Sequence, residues 1–406
     1  MQRVVICGAG PGGASLAYLL ARRGIDVSLV ERQKDFAREF RGEAVMPSGR
    51  DAFRQMGLED DFNQLAQASP RRVRVYRNGR FVREFSSEGR DDLDDLLPRV
   101  VSQPEMLEML VERCSAFPNF RFLRGESISD LVTEEGRVVG VKLRSESDPV
   151  LPADLVVGAD GRGSIVRRRA GLTDDHDAER FDVVWFKVPR PAFLEAPDHT
   201  VMAFLKPGHL MLCFPSPDGR LQIGWIIDKG TFGDLRGQGV EHWLDEMADH
   251  VGDEFGDHLR ASKSALAQPF VLNVVCYLIR QWTSPGVVLL GDAAHPMSPV
   301  GGQGINIALR DALVAANHLV PVLEAGGGAE AIDAAGRAFQ AERFPEVKTI
   351  QRMQRMPPRI LFQRTWWSKW LLAVLPTLAG LQTLSPTGGP VLGRFAFGTT
   401  DVKLRV

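Results

Sequence analysis

The chain has 406 residues, 25% of them charged, with 49 basic against 51 acidic side chains and a formal net charge of −2. Such a length supports two or three domains with large cores, and the balanced charge, with no basic stripe interleaved with aromatics, argues against a nucleic-acid partner. The four cysteines, Cys7, Cys114, Cys213 and Cys276, lie far apart with neither CxxC nor metal-ligand spacing, which excludes a disulfide framework or a metal module and fits a reducing cytoplasm.

Val4 to Cys7 reads as a buried strand, and Gly8-Ala-Gly10-Pro-Gly12-Gly13 follows at once. Ala14 to Arg23 continues with helical spacing, Gly24 ends that helix, and Ile25 to Val30 forms a second strand closing on Glu31. Strand, glycine turn, helix, strand and acid are the context that a dinucleotide fingerprint requires. Gly8 permits the tight turn, Gly10 lets the backbone approach a pyrophosphate, and Gly13 allows close helix–strand packing. Glu31 is placed to accept hydrogen bonds from a ribose, with Arg32 beside it in the cofactor-binding set. The first apolar run is short and opens directly into the glycines, so no signal peptide is expected.

A helix is expected around 47–56. Alternation from Arg71 to Arg99 suggests a hairpin turning at Asn78-Gly79, its arginines forming a solvated strand face. Residues 103–117 read as a helix, 120–143 as strands, and Leu155 to Gly161 as a strand entering an Asp160-Gly161 turn. Residues 180–282 look mostly antiparallel, with a helix over Val240–Val251. An apolar run then ends in Gly291-Asp292, passes His295, Pro296 and Pro299, and enters a helical pattern through Gly301-Gly302-Gln303-Gly304 and Asn306. That order delivers a carboxylate and bare backbone N–H groups to a helix start, where anionic atoms are stabilised. Helices continue to about residue 355. The last fifty residues are apolar and broken by Pro376, with Trp366, Trp367 and Trp370 beside Lys369. That stretch is too short and broken to span a membrane; it reads as a helix packed over the cleft or, alternatively, as a peripheral membrane contact.

The class is therefore α/β. A discontinuous cofactor-binding domain is expected from 1–70, 97–180 and 283–345, and a β-sheet substrate domain from 71–96 and 181–282. A helical C-terminal region covers 346–406. Ligands favour the cleft between such domains.

Three ordered motifs carry a family resemblance: Gly8-x-Gly10-x-x-Gly13 with Glu31; Val157-Gly158-Ala159-Asp160-Gly161-x-x-Ser164-x-x-Arg167; and Gly291-Asp292 through Asn306. Over residues 1–350 the chain resembles the single-component (class A) FAD-dependent aromatic monooxygenases of the p-hydroxybenzoate hydroxylase-like group. The resemblance implies a Rossmann-like FAD-binding domain with an inserted antiparallel sheet, FAD as cofactor, and NADPH or NADH as transient reductant. It implies O2 captured as a C4a-hydroperoxyflavin that hydroxylates or epoxidises an aromatic, quinone-like, polyketide or alkaloid molecule. Residue by residue, Glu31 would hold the adenosine ribose, and Arg41 and Gln103 would lie by the pyrophosphate or ribityl chain. Asp160 would sit near the pyrophosphate, Asp292 would bind ribityl hydroxyls, and Pro299 would lie by the isoalloxazine ring. Gly302, Gly304 and Asn306 would face the flavin's pyrimidine edge. Pro299, Gly302 and His295 are the candidates at the reacting edge, His295 as a base or as a residue that positions the loop. Trp185, Trp225 and Phe214 line the pocket or pack the sheet core.

Other flavin chemistries stay open. A reductase of isoprenoid double bonds shares the scaffold. A flavin halogenase needs an early catalytic lysine, yet no lysine occurs between Lys34 and Lys142, and Trp185-Phe-Lys-Val-Pro189 only partly imitates the halogenase element. A flavin-binding sensor or scaffold would need no reactive loop at Gly301–Asn306.

Overall fold

The computed structural model describes residues 2–36, 43–144, 149–173, 181–194, 200–206, 209–266, 269–355 and 389–406; Arg41 and the tryptophan-rich stretch 359–381 lie outside the described residues. The larger core is built on a six-stranded sheet in the order β18-β19-β12-β1-β2-β8. Here β1 is Arg3–Cys7, β2 Asp26–Glu31, β8 Phe120–Arg124, β12 Leu155–Gly158, β18 Thr283–Ser284 and β19 Val287–Leu289. All neighbours are parallel except the edge pair β18–β19. The central strands are continuous apolar runs because both faces are covered. Helices α1 (Pro11–Ala21), α4 (Gln103–Ser115), α9 (Gln303–Glu324) and α10 (Ala329–Gln354) share this core.

Register explains how three sequence motifs become one site. Cys7 pairs with Gly158, and Gly158 with Leu289. The loops that leave β1, β12 and β19 therefore start side by side at the carboxyl edge of the sheet, the place where open α/β sheets bind ligands. Glu31 ends the neighbouring β2.

A seven-stranded sheet follows the order β17-β13-β16-β15-β14-β5-β6. Its strands are β5 (Arg72–Arg77), β6 (Arg80–Ser86), β13 (Phe181–Val188), β14 (Thr200–Lys206), β15 (His209–Pro215), β16 (Leu221–Asp228) and β17 (Phe270–Leu272). All pairs are antiparallel except β14–β5. The β5–β6 turn has positive φ at both Asn78 and Gly79, which a two-residue turn matched to strand twist requires.

The two faces of this sheet have different fates. Val184, Phe186, Cys213, Ile223 and Trp225 pack under α7 (Val240–Val251) and α8 (Asp253–Ala261) through Trp243, Met247 and Phe255. Val183, Trp185, Leu210, Phe214 and Ile226 form a cluster on the other face, and Val300 from the loop after β19 packs against it. The sheet thus roofs the loop of the third motif.

Two small sheets complete the frame: β9 (Ile128–Glu134), β10 (Arg137–Leu143) and β11 (Val150–Pro152); and β3 (Ala44–Val45), β4 (Gln67–Ala68) and β7 (Arg99–Val101). The remaining helices are α2 (Pro47–Met56), α3 (Glu59–Gln64), α5 (Ile165–Arg169), α6 (Phe232–Gly237) and α11 (Gly389–Phe397). Helix α10 runs through Pro345 without a break. Burial of Phe339, Val347 and Ile350 on either side of the proline offsets the hydrogen bond that proline forfeits. Among the described residues, no helix is long and apolar enough to cross a membrane.

Candidate active site

The first motif divides its glycines between packing and vacancy. A Cβ on Gly8 would stand 2.3 Å from the Ala159 carbonyl oxygen, and one on Gly13 would stand 2.0 Å from the Gly8 carbonyl oxygen. These two positions let the turn, α1 and the loop after β12 interlock, and Gly8 also sits at φ +107°. Gly10 has nothing within 4 Å of the same point among the described residues, so the turn is open there. Glu31 is 3% exposed and braces the turn. Its Oε2 accepts the Ala9 N–H at 3.0 Å and its Oε1 the Gln33 N–H at 3.0 Å. Arg32 is exposed, and half-buried Gln103 opens α4 just after its cap Ser102.

In the second motif the Asp160 Oδ2 accepts the N–H groups of Ile165 and Val166 at 2.6 and 3.2 Å, holding the start of α5. Its Oδ1 is buried with no hydrogen-bond partner among the described residues. Arg167 donates to the Arg162 and Ala293 carbonyls, both at 2.7 Å, which ties the second motif to the third.

The third motif rests on buried charge. The Gly291 N–H donates to Asp311 Oδ2 at 3.0 Å, and His295 Nε2 lies 2.7 Å from the same oxygen. Arg343 Nε donates to Asp311 Oδ1 at 2.8 Å, Arg343 also pairs with Glu346, and Arg310 meets Glu346 at 2.8 Å. Burial alone would raise the Asp311 carboxyl, but His295 and Arg343 outweigh it and hold it below its usual range. Burial opposes the charged Glu346 too, yet Arg343 and Arg310 bring it down to about 2. His295 is 1% exposed, so its Nε2 is committed to a buried carboxylate rather than free at the cleft. Sequence reading did not single out Asp311, Arg343 or Glu346. The signal was Arg310-Asp311 within the mostly apolar run 305–316 of α9, since charges buried in such a place must be paired. Asp292, next to Gly291, is half-buried.

Between Pro299 and α9 the chain turns through Gly301 at φ +74° and Gly302 at φ +61°. A Cβ on Gly301 would meet the Phe395 ring at 2.8 Å, whereas Gly304 is exposed with nothing within 4 Å. Asn306 is fully buried; its Oδ1 accepts the Met46 N–H at 2.8 Å and its Nδ2 donates to the Gly302 and Ala44 carbonyls at 2.7 and 3.3 Å. Its side chain therefore staples α9 to β3, and no side chain among the described residues caps the backbone N–H groups at the helix start. Those groups lack intrahelical partners and carry the positive end of a 22-residue helix dipole.

This arrangement fits FAD. Open glycine positions on adjacent loops, an orphaned carboxylate oxygen at Asp160, a bracing acid at the end of β2 and a bare helix start suit an extended anionic dinucleotide with a ring that accepts charge. The comparisons agree. The FAD binding domain family matches residues 1–350. The chain is 33% identical over 410 residues to 6-methylpretetramide 4-monooxygenase of Streptomyces rimosus, covering 99% of this chain and 94% of the relative. It is 29% identical over 377 residues to kynurenine 3-monooxygenase of Stenotrophomonas maltophilia, covering 86% and 77%. Two solved structures share the fold. The p-nitrophenol 4-monooxygenase PnpA of Pseudomonas putida DLL-E4 has a TM-score of 0.79 at 18% identity, covering 99% of this chain and 100% of that one. PqsL of P. aeruginosa in complex with 2-aminobenzoylacetate has a TM-score of 0.77 at 24% identity, covering 91% and 98%. With a family match over most of its length and a full-length relative at one-third identity, the chain belongs to the FAD binding domain family and is an FAD-dependent monooxygenase of the single-component aromatic type.

Proposed function

We propose that this monooxygenase uses NAD(P)H and O2 to oxygenate a fused-ring aromatic polyketide, bound between the Pro299–Gly304 loop and the face of the seven-stranded sheet that carries Trp185 and Phe214. The observation that supports this most is the likeness to 6-methylpretetramide 4-monooxygenase over 99% of the chain, joined to an apolar sheet face closing on Val300. Segments 71–96 and 181–282 would form the substrate-binding unit.

When bound, FAD supplies electron transfer and oxygen activation; the chain supplies position, dryness and electrostatics. Glu31 would hold the ribose, Gly10 and Asp160 would flank the pyrophosphate with Gln103 nearby, and Asp292 would take the ribityl hydroxyls. The start of α9, with Gly302 and Gly304, would stabilise negative charge on the ring. Pro299 and Val300 would fill the space between ring and roof and keep water out, which a reactive oxygen species requires. His295 would act through Asp311 as a positioning residue for the Gly291–Asp292 turn.

The test is a panel of aromatic polyketides with purified holoenzyme, following NAD(P)H oxidation and product mass. A member that stimulates NAD(P)H use and gains one oxygen supports the reading. Reduction of an isoprenoid double bond, or stimulation only by small monocyclic acids, would overturn it.

A further inference from the structure

A buried carboxylate stands where the loops of the two large sheets meet. The carbonyl of Glu43 accepts the Val101 N–H at 3.0 Å, and the next residues, Ala44 and Met46, are tied to Asn306 at the start of α9. Ala44 lies 3.5 Å from where a Gly302 Cβ would stand. Glu43 is thus held beside the loop that faces the sheet roof. Its side chain is 8% exposed, and its Oε2 is buried with no hydrogen-bond partner among the described residues.

The charges that act on Glu43 come from three other elements: Lys187 on β13, Asp218 in the turn between β15 and β16, and Glu105 in the first turn of α4. Lys187 follows Trp185 by two residues and so points to the cleft side of the sheet. Directly across from it is Gln222, and across from Gln222 is Phe214. Lys187 Nζ is 3.2 Å from Asp218 Oδ2, and that carboxylate also takes the Arg220 guanidinium at 2.9 Å. Burial opposes a charged Asp218, but hydrogen bonds from Arg220 and the charge of Lys187 bring it down to about 2. Asp218 therefore stays ionised. Burial pushes the Glu43 carboxyl up to about 7, with Lys187 pulling it down and Asp218 and Glu105 pushing it further up. A buried carboxylate that serves only the fold is normally paired, as Glu346 is. Glu43 combines burial, an unsatisfied oxygen and a cation on the facing sheet.

We propose that Glu43 accepts the proton of a substrate phenol or enol, and that Lys187 offsets the charge of the oxyanion so formed, making the two the polar recognition pair of an otherwise apolar cleft. This rests on the aromatic-substrate reading above. In the step, the substrate O–H bond breaks, the proton passes to a Glu43 carboxylate oxygen, and the bonding pair stays on the substrate oxygen. No electrons change hands and no co-reactant is needed. A group that is half-ionised near neutrality is well matched to take and return such a proton, and the deprotonated ring is the more electron-rich partner for oxygen insertion.

The test uses the holoenzyme and alizarin, a fused-ring phenol whose visible band moves to longer wavelength on ionisation. At neutral pH, where Glu43 is about half ionised, wild type should hold more of the bound dye ionised than the same dye free in solution, while Glu43→Gln should hold less of it ionised with FAD content unchanged. Lys187→Met keeps the inference testable if Glu43→Gln loses FAD; it should lower the bound dye's ionisation constant about tenfold or more, the usual effect of removing one nearby charge. Ionisation in both variants as complete as in wild type, or wild type that binds alizarin neutral or not at all, would overturn the inference. Polyketide oxygenation that persists alongside such a result would leave the monooxygenase reading standing, so the two failures are distinguishable.

Discussion

The buried charges behind the third motif and the buried charge at the sheet seam obey the same physics to opposite ends. In the first region Asp311, Arg343, Glu346 and Arg310 pair as ions, and Asp311 also holds His295 and the Gly291 N–H, although Arg343 Nη2 and His295 Nδ1 have no hydrogen-bond partner among the described residues. In the second, Glu43 keeps a buried oxygen without a partner among the described residues, although Lys187 and Asp218 stand close enough to shift its ionisation. Pairing builds a support and holds the Asp311 and Glu346 carboxyls below their usual range. Leaving a carboxylate unpaired costs stability, and the molecule bears that cost next to the loop proposed to face the flavin.

The comparison breaks most visibly at Asp311. Asp311→Ala should strand His295 and one edge of Arg343 in the core and destabilise the protein by about 3–5 kcal/mol, the usual result of removing one partner of a buried ion pair. FAD should be lost with it, because the Gly291–Asp292 turn loses its anchor. Denaturant unfolding together with flavin content checks this; unfolding at the wild-type midpoint would mean that the cluster is not a support.

At Glu43 the sign reverses. Its folded carboxyl keeps its proton up to about pH 7, against 4.5 for an ordinary one. The folded state therefore takes on a penalty as pH rises through that window, and the penalty is complete above it. Glu43→Gln should match wild-type stability below the window and exceed it above, by at most roughly 3 kcal/mol. Melting midpoints across pH read the difference, and a gap independent of pH would count against an unpaired carboxylate.

Gly302 lies between the two regions. Gly302→Val should leave the paired cluster intact, since the nearest atom to its Cβ is Ala44 Cβ at 3.5 Å. It forces a branched residue into φ +61°, and misplacing the reacting groups by about 1 Å costs on the order of 100-fold in rate. Product formed per NAD(P)H at matched FAD occupancy should fall. Wild-type coupling would place the loop away from the reacting edge.

The legible parts of this molecule are the local ones. The turn at Gly8–Gly13 is set by contacts within a few residues and one neighbouring strand, so spacing alone exposed it, and Asn78-Gly79 revealed its hairpin in the same way. The support of the third motif was not legible, because Asp311, Arg343, Glu346 and Phe395 are brought together only by the packing of α9, α10 and the C-terminal segment. Trp185 and Trp225 looked alike in sequence. Register separates them: Trp185 lies across from Gly224, so Trp225 points to the helix-covered face. A one-residue slip would exchange them. Glu43 belongs to no periodic pattern, and only its burial sets it apart.

The fate of dioxygen tests the central claim most directly. With NAD(P)H, an aromatic polyketide that the enzyme turns over and isotopically heavy O2, the account predicts a product carrying one heavy oxygen atom, the other leaving as water. Product that is altered but free of heavy oxygen, while NAD(P)H is consumed, would contradict it.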